Sequence, residues 1–174
     1  KEFSVIVTDA SGNPVQNQTV YVSATPTLGA NPTTDATWAY AKGYYAAFPD
    51  EANFEYYIAV RTVECANEDA NLNGILDVGE DFNADSLLTP GNVVSVPQSI
   101  VSDDNGVAVF NVTYGQSYAN WIQVDLVVSD RADGTENRTS LRYLLPVSST
   151  HVRTKGSPPP RNPFGQNFIC SDTE

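Results

Sequence analysis

The sequence predicts an all-β chain, an antiparallel β-sandwich of about seven strands that carries one long acidic loop. Three observations lead there. Apolar residues recur with period two almost everywhere, and no window shows 3.6-residue periodicity with a cap at both ends. The periodic runs are short and are separated by clusters of Gly, Pro, Asn and Asp, the punctuation of successive hairpins. Finally, 174 residues of which 41% are hydrophobic suffice for one domain with a real core.

In the first strand, 3–8, Phe3, Val5 and Val7 alternate with Ser4, Ile6 and Thr8, and the cluster from Asp9 to Pro14 turns the chain. A second strand covers 19–23. The third, 55–63, is rich in β-branched and aromatic residues. A fourth at 92–96 stops at Pro97, which cannot donate to a ladder. The turn Asp104-Asn105-Gly106 opens the fifth, 107–113. The sixth, 121–128, places Trp121 in the core, and the turn from Asp130 to Gly134 separates it from the seventh, 138–145. Two stretches exceed a minimal sandwich: 25–53, with Trp38, Tyr40, Tyr44, Tyr45 and Phe48, and the polar loop 65–91. After Pro146 the chain becomes Pro-rich and extended, most clearly from Lys155 to Pro163. The expected organisation is a body over 1–147 with insertions at 25–53 and 65–91, then a tail over 148–174.

Charge narrows the function classes. Nine Lys+Arg stand against twenty-one Asp+Glu, a formal charge of −12. Such a chain is repelled by phosphate backbones and anionic lipid, so nucleic-acid and electrostatic membrane binding are disfavoured and cations are the natural counterpart. No apolar run is long enough for a membrane span. The two cysteines, Cys65 and Cys170, are 105 residues apart and lack metal-site spacing. One disulfide fastening the tail to the body is the expectation, and two buried free thiols are the alternative. With no Met and with Lys at position 1, the chain reads as a processed or excised piece of an exported protein, extracellular or at the cell surface.

One motif is chemically specific. Asp69-Ala-Asn71-Leu-Asn73-Gly74-Ile75-Leu-Asp77-Val-Gly-Glu80 fits the calcium-loop template D-x-[DN]-x-[DN]-G-x5-E at every position. Calcium takes six to eight hard oxygen ligands, and oxygens at loop positions one, three and five converge as the chain curls round the ion. Gly74 permits the sharp turn, the Ile75 carbonyl supplies the seventh position, Asp77 ligates directly or through water, and Glu80 closes the site. A second copy follows at a period of twelve, pairing Glu68 with Glu80, Asp69 with Asp81, Asn71 with Asn83 and Asn73 with Asp85. In it Ser86 replaces the turn Gly, Thr89 the ninth-position Asp and Asn92 the closing Glu. It binds weakly, or lends Asp81, Asn83 and Asp85 to a shared site. No helical pattern flanks either copy, so a structural ion fits better than a sensor switch. An acidic solvated loop without metal is the competing reading.

The segment Val7-Thr-Asp-Ala-Ser-Gly-Asn-Pro-Val15 with Thr19-Val-Tyr-Val, and the hairpin Ser102-Asp-Asp-Asn-Gly-Val-Ala-Val-Phe110, resemble bacterial Ig-like domains of the group-1, invasin- and intimin-like type. The segment from Cys65 to Gly91 resembles a Cys-led insertion in larger Ig-like domains of bacterial surface lipoproteins. The resemblance covers about residues 3–146. It implies an immunoglobulin-like sandwich in a surface or secreted module used for display, adhesion or assembly, in some parents lipid-anchored, and it implies no catalysis.

Other chemistries are poorly served. His151 is the lone histidine, no G-x-S-x-G elbow occurs, and only Lys1, Lys42 and Lys155 are available for isopeptide chemistry. The rings of the aromatic stretch either pack in the core or form a sugar-stacking platform. Three sequons, at Asn17, Asn111 and Asn137, are weak signals. The function expected is an extracellular, non-catalytic structural or adhesive module rigidified by calcium. The alternatives are a self-assembling fibre subunit that joins by strand addition or edge pairing, and a carbohydrate-binding module. Partners are then copies of the chain, other cell-surface proteins or a glycan.

Overall fold

The computed structural model describes residues 1–29, 37–132 and 135–172. The end of the 130–134 turn, at 133–134, and residues 30–36 of the aromatic stretch lie outside the described residues, as do 173–174 of the tail. Among the described residues strand accounts for 40% and helix for 4%, so the fold is nearly all-β, and its sheets are antiparallel. In chain order the strands are β1 (Glu2–Ile6), β2 (Thr19–Pro26), β3 (Tyr40–Phe48), β4 (Tyr56–Cys65), β5 (Val94–Ser95), β6 (Ser99–Val101), β7 (Val107–Asn111), β8 (Thr113–Tyr114), β9 (Gln123–Ala132) and β10 (Thr135–Leu144). Among the described residues, helix is confined to a 3-10 turn at Gln116–Tyr118 and to α1, Ser149–Val152. No helix among the described residues is long and apolar enough to cross a membrane.

Ten strands among the described residues exceed the seven read from the sequence. The additions are β3, β6 and β8, and the physical reasons differ. β6 and β8 are too short for any period to register. β3 reads YAKGYYAAF, rich in Ala and Gly, which strands disfavour, and its first four residues are all buried, so no alternation marks it.

The chain groups into two compact units: Lys1–Thr25, Val94–Tyr114 and Asp125–Arg142 form the first; Pro26–Val93, Gly115–Val124 and Tyr143–Glu174 the second. In the first unit β1 pairs antiparallel with β7, Phe3 opposite Phe110, and those rings stack with centroids 5.7 Å apart. A four-stranded sheet runs β10-β9-β2-β6, and β5 pairs with β8. Val20, Val22, Ala108, Phe110, Val112 and Leu126 are buried, the inward halves of alternating strands. Two of the three turns predicted from sequence are closed by an aspartate. Asp9 Oδ1 accepts from Ser11 and Asn13 N–H at 2.8 Å, and Asp103 Oδ1 accepts from Asn105 and Val107 N–H at 2.9 and 2.8 Å. A groove of about 1000 Å³, lined by Val5, Val7, Val20, Val128 and Arg138 among others, opens along β1, β9 and β10.

The second unit is built on the β3–β4 hairpin, which runs in register from Tyr40 opposite Cys65 to Phe48 opposite Tyr56, with a bulge between Lys42 and Gly43. Glycine is required there: a Cβ at position 43 would meet the Val60 carbonyl oxygen at 2.1 Å and the Trp121 ring at 2.9 Å. The bulge releases the Gly43 N–H, which donates to the Gly165 carbonyl at 2.9 Å. Trp38, Ala41 and Trp121 form the core cluster, with Tyr45, Ala59, Leu144 and Phe164 packed against it.

Residues of the Pro-rich tail are therefore part of this unit's packing. Asn162 Nδ2 donates to the Ala41 carbonyl at 2.8 Å, Thr62 Oγ1 donates to the Asn167 carbonyl at 2.7 Å, and Phe164 lies 4.8 Å from the Tyr40 ring. Lys42, 1% exposed, donates from Nζ to the Asp172 carbonyl. Burial pulls its ammonium below the ordinary lysine range, and the Asp172 charge pushes it back. Cys65 and Cys170 form the disulfide, with Cα atoms 5.7 Å apart.

Candidate metal centre

The acidic loop leaves the end of β4 at Cys65. Asn67 anchors its first turn, donating its N–H to the Leu28 carbonyl at 3.0 Å and accepting from Asp69 N–H at 3.1 Å. No helix occurs between 66 and 93, as the flanking sequence led one to expect. The first copy curls so that its polar side chains turn inward on its own backbone. Asp69 Oδ1 accepts from Asn73 N–H at 3.0 Å and Oδ2 from Gly74 N–H at 2.9 Å. Asn71 Oδ1 also accepts from Asn73 N–H, and Asn73 Oδ1 accepts from Ile75 N–H at 2.7 Å. Asp77 Oδ2 receives both the Asn71 and Asn73 amides, at 2.8 and 2.9 Å. Glu80, buried, spans the loop, taking Ala70 N–H on Oε1 and Asp77 N–H on Oε2 at 3.0 Å each. Asp69, Asn71, Asn73, Asp77 and Glu80 are thus linked by hydrogen bonds within the loop, and Ile75 is tied in by its N–H, the group that donates to Asn73.

The second copy repeats this wiring twelve residues on. Asp85 N–H donates to Asp81 Oδ1 and to Asn83 Oδ1 at 3.0 Å, Ser86 N–H to Asp81 Oδ2 at 3.1 Å, and Leu87 N–H to Asp85 Oδ1 at 2.7 Å. Left-handed backbone recurs in step, at Leu72 and Ala84, Gly74 and Ser86, Gly79 and Gly91. The template's glycine position is therefore occupied by Ser86 at φ 64°, a conformation that costs an L-residue about 1 kcal/mol. Ser86→Gly is expected to stabilise the second unit by no more than about 0.5 kcal/mol, because the extra unfolded-state entropy of glycine offsets most of the relieved strain. A denaturant melt followed by tryptophan fluorescence checks it, and a lower midpoint would mean that the Ser86 side chain contributes more than its backbone strain costs.

Sequence reasoning left one residue without a role. Glu68, 1% exposed, accepts from Phe82 and Asn83 N–H on Oε1 at 3.1 and 3.2 Å and from Thr89 N–H on Oε2 at 2.8 Å. Its own N–H donates to the Thr89 carbonyl at 2.9 Å. Carboxylate oxygens of Glu68, Asp81 and Asp85 lie within 4.8 Å of one another. Burial pushes the Glu68 carboxyl above the ordinary range; the Thr89, Asn83 and Phe82 N–H groups pull it down, and the Asp85 charge pushes it up. Tyr40 is pushed up to about 12, first by burial and then by the negative charges of Glu68 and Asp85. Its period-twelve match to Glu80 was the signal that singled Glu68 out.

The other candidates fall elsewhere. His151 is exposed on α1. Trp38 and Tyr40 are buried, Trp38 beneath the Arg61 guanidinium at 4.7 Å, so neither presents a face to a sugar. Tyr44 and Phe48 are exposed, and Phe48 stacks on Tyr56 at 5.0 Å. Asn17, Asn111 and Asn137 are all exposed. Compared with known proteins, the chain matches no protein-family model, no curated protein and no solved structure.

Proposed function

We propose that the chain is an extracellular, non-catalytic structural or adhesive module of Ig-like type, rigidified by calcium in its 69–91 segment. The first ion is held by Asp69, Asn71, Asn73, the Ile75 carbonyl, Asp77 and Glu80, and Asp81, Asn83 and Asp85 supply a second set. The observation that carries the reading is the pairing of an all-oxygen donor set with a charge imbalance. Six carboxylates lie between 68 and 85, and no Lys or Arg occurs from 66 to 91. The carboxylates of Glu68, Asp81 and Asp85, drawn within 4.8 Å of one another, repel, and a cation among them would relieve that repulsion. Hard oxygen donors without thiolate or imidazole suit calcium over zinc or copper. The disulfide is compatible with an extracellular location. Limited proteolysis tests the reading: cleavage within 66–93 is expected to be at least tenfold faster in chelator than in millimolar calcium. Equal rates in the two conditions would remove calcium from the account.

A fibre subunit is the second reading, and the groove of mixed polar and apolar lining along β1, β9 and β10 favours it, because β1 and the edge strand β10 border it and an open edge accepts an added strand. Sedimentation velocity in calcium separates the two. Concentration-dependent polymers support the fibre, and a single monomeric boundary supports the display module.

A further inference from the structure

The second loop carries no closing carboxylate of its own, since Asn92 stands where the first has Glu80. Glu68 occupies that place from outside the loop. Glu80 takes the N–H groups of Ala70 and Asp77; Glu68 takes those of Phe82 and Thr89, each twelve residues further on, and adds Asn83. Glu68 is also the carboxylate that meets Asp81 and Asp85, the first and fifth positions of the second loop. Both glutamates are buried while most of the other loop ligands are exposed or half-buried. We propose that Glu68 closes the second loop, so that 69–80 and 81–92 hold two divalent cations as an interdependent pair, each loop completed by a glutamate that adjoins the other. The inference rests on the calcium reading above.

The coupling follows from the chain connection. Glu68 directly precedes Asp69, the opening ligand of the first loop, and Glu80 directly precedes Asp81, the opening ligand of the second. An ion that fixes Asp69 fixes the backbone from which Glu68 reaches the second loop, and an ion at Asp81 does the same for Glu80. The ordering cost met by the first ion is not met again by the second, which is positive cooperativity without a change of fold.

Calorimetric titration of the whole chain with calcium alone decides it. The expected result is two ions per chain with a Hill coefficient above 1. Glu68→Gln, close to isosteric, is expected to weaken the second loop at least tenfold and to abolish cooperativity, while Asn92→Ala changes affinity less than twofold. Far-UV circular dichroism checks that Glu68→Gln has folded. Should it fail to fold, Asp85→Asn, at an exposed position, serves instead, and under the proposal it weakens the first loop at least fivefold as well as the second. Two independent sites, one ion per chain, or a Glu68→Gln or Asp85→Asn titration that leaves the partner loop unchanged would each overturn the pairing while leaving calcium binding intact. No calcium heat in the wild-type chain would overturn both.

Discussion

Reduction of the Cys65–Cys170 bond is expected to lower the stability of the second unit by about 4 kcal/mol, the largest single effect available to a covalent change in this chain. The bond closes a loop with a sequence separation of 105. Constraining the unfolded ensemble over that length is worth about 4.7 kcal/mol in the chain-entropy model, and natural disulfides deliver somewhat less. At about 2–4 °C per kcal/mol for a chain of this size, the midpoint falls by roughly 8–16 °C. The reduced protein should still fold at room temperature, because Asn162, Phe164 and the Thr62–Asn167 contact hold the tail without the bond. Tryptophan fluorescence is the proper probe. Both tryptophans, Trp38 and Trp121, lie in the second unit and are buried there. The double variant Cys65→Ser, Cys170→Ser should match the reduced wild type, which separates loss of the link from any effect of reductant. A midpoint within 1 °C of the oxidised protein would show that the tail's non-covalent contacts alone define its position.

The legibility of this chain follows from how each feature is encoded. β4, β7 and β9 were readable because β-branched and aromatic residues alternate against turn clusters; β4 and β7 end within two residues of the expected bounds, while β9 starts two residues late and runs four further. β3 was not readable, since a strand buried on both faces loses its alternation and Tyr40-Ala41-Lys42-Gly43 has no β-branched residue to signal it. Trp38 packs in the core, the first of the two readings open for the aromatic stretch, and Arg61 covers its ring. The disulfide was legible because two cysteines leave one partner each. The hydrogen-bonded curl of the first loop was legible because Asp69, Asn71, Asn73, Asp77 and Glu80 all fall inside one twelve-residue template. Glu68 was only half legible: the repeat marked it as equivalent to Glu80, but a template that counts forward from the first aspartate cannot assign a role to a residue that precedes it. Lys42, buried against the terminal segment, had no local pattern at all, because its carbonyl partner is 130 residues away.

Chelation is expected to produce the second-largest effect, and it bears directly on the proposed function. A ligand that binds only the native state adds RT ln(1 + [L]/Kd), about 2.7 kcal/mol at a hundredfold excess over Kd. On the same scale as the disulfide, chelator should lower the tryptophan-detected midpoint by roughly 5–11 °C. Asp69→Ala separates the ion's contribution from that of the carboxylate itself. Asp69 caps the Asn73 and Gly74 N–H groups whether or not an ion is bound, and losing those partly solvated hydrogen bonds costs about 1 kcal/mol in chelator. In calcium the variant loses the opening ligand as well, so the gap between its two melts should shrink to under a third of the wild-type gap. Asp50→Ala is the matched control. Asp50 Oδ1 accepts from Ala52 and Asn53 N–H at 2.8 Å in the same unit but outside the loop, so its removal should shift both melts equally and leave the gap intact. Identical wild-type melts with and without chelator would sink the calcium site. A gap that survives Asp69→Ala would move the ion to the second loop, where Glu68, Asp81 and Asp85 already converge.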